Sequence, residues 1–288
     1  MQKRTYGRHN VRLSVVGFGG ILVTDESVRE SSRRVSLAID RGVNYFDVAP
    51  SYGNAEQMLG PALEPYRRNV FLACKTTMRD AAAAETEFRA SLRKLRTDHI
   101  DLYQIHAIQT DEEVEQVLAR NGALSLFEKL RRSGAIRYIG FSAHNEEAAL
   151  RLLSAFAFDS VLFPINWLAW HAGGIGSRLM DAADECGTAV LALKALAQQR
   201  WAPGEEHTWH KTWYRPAGNY QEAERALRFT LSRPVVAAVS PGHIEHFRWA
   251  CDAADRFTPL SAAEERGIAE LAQSATAEPV FTRSVTTI

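Results

Sequence analysis

Four residues in the first half of the chain have types and positions that suit proton chemistry at a carbonyl. Asp47, Lys75 and His106 each stand at the end of an apolar run, and Tyr52 follows Asp47 in Pro50-Ser51-Tyr52-Gly53. A lysine or an aspartate in such surroundings is costly unless paired, and strands adjacent in a sheet would let Asp47 and Lys75 pair. A lysine cation beside Tyr52 favours phenolate and draws the phenol below its usual value of about 10. Such a phenol can give its proton to a carbonyl oxygen that is becoming an alkoxide. His106 can donate a hydrogen bond to the same oxygen. No side chain donates hydride, so a nicotinamide cofactor is its expected source. Taken singly, a strand-end ion pair and a lone histidine are more often structural than catalytic, and the tyrosine of PSYG reads as an ordinary turn residue. It is the coincidence of all four that points to carbonyl reduction or its reverse.

The elements that must position these groups alternate along the chain. Nearly continuous apolar runs at Leu13–Gly17, Val43–Val48, Val70–Cys74, Ile100–Ile105, Ile136–Phe141, Ser160–Ile165, Val190–Leu193 and Val235–Val239 predict strands buried on both faces. Between them, Phe88/Leu92/Leu95, Tyr220/Ala223/Leu227 and Phe247/Cys251/Ala254 repeat with helical spacing. Gly42, Gly134 and Gly187 stand where helices should stop, and Asp25 or Ser27, and Ser261, where they should start. Eight such units in 288 residues predict an α/β fold, a (β/α)8 (TIM) barrel in a single domain over 1–288. Counting alone leaves an open doubly wound sheet as the alternative. The polar segment Arg4–Arg12 predicts an N-terminal hairpin closing the barrel floor. Gln198–Asn219, after the seventh strand, has no periodicity and carries Trp201, Trp209, Trp213 and Tyr214. Loops of that length in compact domains are usually lids or binding loops, the other reading being an aromatic patch over core or a subunit contact.

Composition narrows the function classes. Lys+Arg and Asp+Glu are 34 each, so the chain shows no basic excess for nucleic acid or an anionic membrane surface. No apolar run approaches the roughly 20 residues of a membrane helix. Three widely spaced cysteines, Cys74, Cys186 and Cys251, read as reduced residues of a cytoplasmic protein. The opening MQKRTYGRHN has no hydrophobic stretch that would mark secretion. His207-x-x-His210 and His243-x-x-His246 have zinc-like spacing but lack a nearby cysteine or acidic third ligand, so no metal is expected.

Read as a whole, the chain resembles the aldo-keto reductases. Gly42-Val43-Asn44-Tyr45-Phe46-Asp47-Val48-Ala49-Pro50-Ser51-Tyr52-Gly53 resembles their signature, and Ala73-Cys74-Lys75-Thr76 their lysine strand. Asp98–His106 resembles their histidine strand, Ile136–Ser142 the strand after it, and Arg12–Gly20 the first. The match runs in order from about residue 3 to residue 257. The resemblance implies a (β/α)8 barrel that binds NADPH, or NADH, without a Rossmann domain. It implies Tyr52 as general acid/base, Lys75 lowering its pKa, Asp47 holding Lys75, and His106 steering a small-molecule carbonyl or alcohol substrate.

For the cofactor, the resemblance implies Ser142 near the nicotinamide amide, Asn166 from the sixth-strand motif, and Ser240 and Gly242 at the start of the C-terminal motif. Arg248 falls at the position that takes the 2′-phosphate. Gly20 closes Gly17-x-Gly19-Gly20, whose glycines let the first loop approach the cofactor, and Lys194 is placed to meet the pyrophosphate as a point charge. Two positions depart from the family pattern. Leu162 stands where a glutamine usually holds the amide, and Asp252 where an asparagine meets the adenine. These departures keep open a lyase, dehydratase or isomerase of the same fold with altered or lost cofactor use. A redox-sensing binding subunit and a metal-dependent hydrolase are further readings, disfavoured by the intact tetrad and by the lack of clustered carboxylates and histidines.

Overall fold

The computed structural model describes residues 1–274 and 278–283. A hairpin of β1 (Lys3–Thr5) and β2 (Arg12–Ser14) precedes the first barrel strand. Eight parallel strands then close on themselves: β3 (Val16–Gly19), β4 (Tyr45–Asp47), β5 (Phe71–Thr76), β6 (Ile100–Ile108), β7 (Ile136–Ala143), β8 (Ser160–Pro164), β9 (Ala189–Leu193) and, after a two-stranded ribbon, β12 (Ala237–Val239). Closure excludes the open sheet. The ribbon, β10 (Ala197–Gln199) with β11 (Arg215–Pro216), pins the two ends of the long aromatic segment together.

The first strand differs from its expected limits. The apolar run beginning at Leu13 is shared between two elements: residues 12–14 pair antiparallel with the hairpin, and the barrel strand starts at Val16. The side chains of Ser14 and Asn44 hold this junction, since Ser14 N–H donates to Asn44 Oδ1 at 2.7 Å and Asn44 N–H to Ser14 Oγ at 3.1 Å.

The helical faces fall as their spacing predicts. Phe88 and Leu95 are buried on helix Ala81–Leu95, Ala223 and Leu227 on Tyr220–Leu231, and Phe247, Cys251 and Ala254 on Ile244–Asp255. Ser27, not Asp25, caps the first helix, accepting from Glu30 N–H. Gly42, Gly134 and Gly187 adopt the left-handed conformation after their helices, with φ of 76°, 79° and 64°.

The inside of the barrel explains where a site must lie. Side chains along a strand alternate between its faces. One inward set reads Tyr45 then Asp47 on β4, Ala73 then Lys75 on β5, and Leu102, Gln104 and His106 on β6. The lower members join Tyr6 and Leu13 of the hairpin segment in one apolar cluster, which plugs the floor. The upper members are polar. The interior therefore changes from dry to ionisable toward the C-terminal ends of the strands, the end where barrels of this type carry their chemistry.

Candidate active site

A cavity of about 360 Å³ opens at that end. Asp47, Tyr52, Lys75 and His106 all line it. Lys75 is fully buried and ion-paired with Asp47, itself buried, and also donates to the Val48 carbonyl at 3.3 Å. The other Asp47 oxygen accepts from Tyr45 Oη and Gln104 Nε2, both at 3.1 Å. Both oxygens of the carboxylate are thus engaged, as a buried charge requires.

The ammonium lies 5.2 Å from the centre of the Tyr52 ring. Burial pulls the Lys75 ammonium down, but Asp47 and Tyr52 more than restore it, so its pKa lies above the usual lysine value. Tyr52 differs from the sequence expectation. Burial raises its phenol, Lys75 draws it back and Asp47 opposes, and the net direction is upward. The phenol is therefore held protonated, as an acid must be before it acts. The Tyr52 and His106 rings meet edge-on, centroids 5.7 Å apart. Burial, reinforced by Lys75, Arg79 and Lys194, lowers His106 to about 3. The imidazole is neutral, and its Nδ1 lies 3.3 Å from Ser51 Oγ.

The residues assigned to a cofactor divide into two groups. Gly20, Ser142, Lys194, Ser240 and Gly242 line the same cavity as the tetrad. Asn166, Arg248 and Asp252 do not. Asn166 caps the short helix Trp167–His171 by accepting from Ala169 N–H at 2.9 Å, leaving its buried Nδ2 without a partner. Arg248 is exposed on helix Ile244–Asp255. Asp252 is ion-paired to Arg41 at 2.8 Å.

Between the first and eighth strands the backbone forms a cradle with no room for side chains. A Cβ on Gly19 would stand 2.5 Å from the Ser240 carbonyl oxygen, and one on Gly242 2.5 Å from the Ile21 side chain. Gly19 N–H donates to Ser240 Oγ at 3.2 Å, tying the two loops. Such bare backbone at a cavity wall fits a phosphate-bearing cofactor. Leu162 lines the cavity and offers it an apolar side chain.

The histidine pairs do not form a metal cluster. His210 and His243 have ring centroids 4.8 Å apart, but Trp209 stacks edge-on with both His243 and His246, and no group of three metal-ligating residues occurs among the described residues. The three cysteines are free.

Sequence reasoning missed Gln104, Tyr45 and His144. Gln104 carried a signal, being the polar residue in the middle of an apolar strand. His144 gave none, since its place follows from how β7 ends. Also missed was Lys211, within the long aromatic segment, which crosses the mouth to bond the Thr24 carbonyl and Glu26 at 2.7 and 2.6 Å.

A family model described as the aldo/keto reductase family matches residues 15–271. The chain belongs to that family. Among its aldo/keto reductase relatives is the uncharacterized oxidoreductase YqkF of Bacillus subtilis, 25% identical over 278 residues, which cover 84% of this chain and 87% of that protein. Methylglyoxal reductase YeaE of Escherichia coli is 33% identical over 205 residues, 68% of this chain and 69% of that protein. Among solved aldo/keto reductase structures, the holo form of one from Bacillus halodurans superposes with a TM-score of 0.76 at 25% identity, covering 99% of this chain and all (100%) of that chain. The family is one of oxidoreductases acting on carbonyl compounds. No helix among the described residues is long and apolar enough to cross a membrane.

Proposed function

We propose that the chain is a single-domain, cytoplasmic NADPH-dependent reductase of small aldehydes or ketones, with no nucleic-acid or membrane partner. The observation that carries this reading is the meeting of Tyr52, His106 and the Asp47–Lys75 pair in one cavity with the glycine cradle of Gly19, Gly20 and Gly242.

The cradle and Ser240 would hold the cofactor phosphates, Ser142 the nicotinamide end, and Arg248 the 2′-phosphate. Bound there, a nicotinamide supplies the hydride that no side chain can. The remaining work falls to the protein. His106, neutral at physiological pH, donates a hydrogen bond to the carbonyl oxygen and fixes its direction. Tyr52 gives that oxygen its proton as the alcohol forms. Lys75, held charged by Asp47, stabilises the phenolate left behind. In the reverse direction the phenolate takes the proton back.

The test is a tryptophan fluorescence titration with NADPH and NADH, followed by aldehyde-dependent NADPH oxidation. NADPH quenching tighter than NADH, with consumption of NADPH on adding aldehyde, is the expected result. Absence of quenching by both nucleotides would overturn it.

A further inference from the structure

The cavity is bordered by three lysines, and two of them are neutralised. Lys75 has Asp47, and Lys211 has Glu26 at 2.6 Å. Lys194, at the end of β9, has no carboxylate among the described residues. Its backbone is left-handed, with φ of 58°, an uncommon conformation for a residue with a side chain and one that clusters at functional sites. From there the half-buried side chain reaches across to the residue that follows β7, where Nζ donates to His144 Nε2 at 3.0 Å. It thus points away from the cradle of Gly19 and Gly242 and toward the middle of the mouth.

Its surroundings are aromatic. Nζ lies 4.9 Å from the Phe281 ring centre and 5.2 Å from that of Trp213. Phe281 stacks on His144, and Trp213, 47% exposed, stands edge-on to Phe281 at 5.8 Å. His144 accepts through Nε2, so its proton is on Nδ1, which is buried and unpartnered. The other titratable groups on the cavity wall are His106, Tyr52, Tyr214, Lys75 and Lys211, and none is a free anion. The only carboxylate there among the described residues, Asp47, already has three donors. Desolvation accordingly lowers Lys194 to about 7.

We propose that Lys194 is the anchor for a carboxylate carried by the substrate, so that the enzyme selects carbonyl compounds with an acid group on an apolar, ring-sized body. The apolar body rests against the exposed face of Trp213, which Phe281 backs, while its carbonyl meets Tyr52 and His106. This rests on the carbonyl-reduction reading for the reaction, but not for the binding. The same cation could instead serve a cofactor phosphate, and the two sources are separable.

The probes are benzoate and its uncharged isostere benzamide, followed by Trp fluorescence at pH 6 and pH 8.5, and carboxybenzaldehyde against carbamoylbenzaldehyde as substrates. The expected result is benzoate preferred at least tenfold at pH 6, with the preference shrinking at pH 8.5 as Lys194 loses its proton. The kcat/KM ratio of the two aldehydes should favour the acid similarly. Lys194→Met, close in shape and uncharged, should collapse both ratios toward one, and a ratio cancels any loss common to the two aldehydes. Equal binding of benzoate and benzamide by the wild-type protein would overturn the proposal. So would a Lys194→Met variant that keeps the benzoate preference but loses NADPH affinity, which would assign the cation to a phosphate. Benzoate selectivity without reduction of either aldehyde would leave the anion site standing and defeat the reductase reading alone.

Discussion

Lys75 and Asp47 form an ion pair on the floor of the cavity, and neither exposes more than 1% of its surface. Four neighbouring groups take their protonation or their position from that pair. Lys75 offsets the effect of burial on Tyr52 and helps keep His106 neutral, and Asp47 fixes Tyr45 and Gln104.

Breaking the pair from one side should therefore cost more than removing it. Asp47→Ala leaves a buried ammonium without its anion, and urea unfolding should show a loss of about 3–5 kcal/mol. The double variant Asp47→Ala/Lys75→Met should recover part of that loss. An Asp47→Ala protein as stable as the wild type would contradict the pair's description.

Acid should weaken the fold through its histidines. Burial lowers His106 to about 3 and His243 to about 4, against about 6.5 in the unfolded chain. Between pH 6.5 and 4 the unfolded state takes up protons that the folded state refuses, so stability rises with pH across that window. The urea midpoint should fall as pH drops from 7 to 4.5, and less steeply in a His106→Gln/His243→Gln variant. Identical slopes would place the acid sensitivity elsewhere.

The cradle makes a separate prediction. In Gly19→Ala the added Cβ meets the Ser240 carbonyl oxygen at 2.5 Å, a backbone atom that cannot swing aside. The first and eighth loops must part, and NADPH affinity should drop at least about tenfold, the equivalent of ~1.4 kcal/mol. Calorimetric titration giving wild-type affinity would remove the cradle from the cofactor site.

Arg248 is exposed on its helix, and a guanidinium there is suited to a phosphate. Arg248→Ala should weaken NADPH by roughly ten- to a hundredfold, the range of a lost charged hydrogen bond, and NADH far less. Equal weakening of both nucleotides would move the 2′-phosphate contact elsewhere.

The sequence carried the barrel and the floor of the site because both follow from local pattern. Continuous apolar runs mark strands buried on both faces, and Asp47 and Lys75 stand out where such runs end. The limits of β3 were less legible, since Leu13 is equally apolar in a hairpin or a barrel and only pairing decides. The β10–β11 ribbon was hidden for a related reason: its two short halves flank a long aperiodic segment. The upward direction of the Tyr52 phenol was also out of reach, because burial and the Lys75 charge oppose each other and only the fold sets their balance. Lys194 was legible as a strand-end lysine. Its reach to His144 depends on a left-handed residue and on Phe281, nearly ninety positions away in sequence.

The central claim is that Tyr52 delivers the proton. The most direct measurement is aldehyde-dependent NADPH oxidation by Tyr52→Phe, alongside its fluorescence titration with NADPH. The ring and its contacts remain while the hydroxyl is lost. The account predicts that turnover falls by about 10²–10⁴-fold, the range of a general acid, with NADPH affinity close to wild type. A Tyr52→Phe enzyme that reduces aldehydes at the wild-type rate would contradict it.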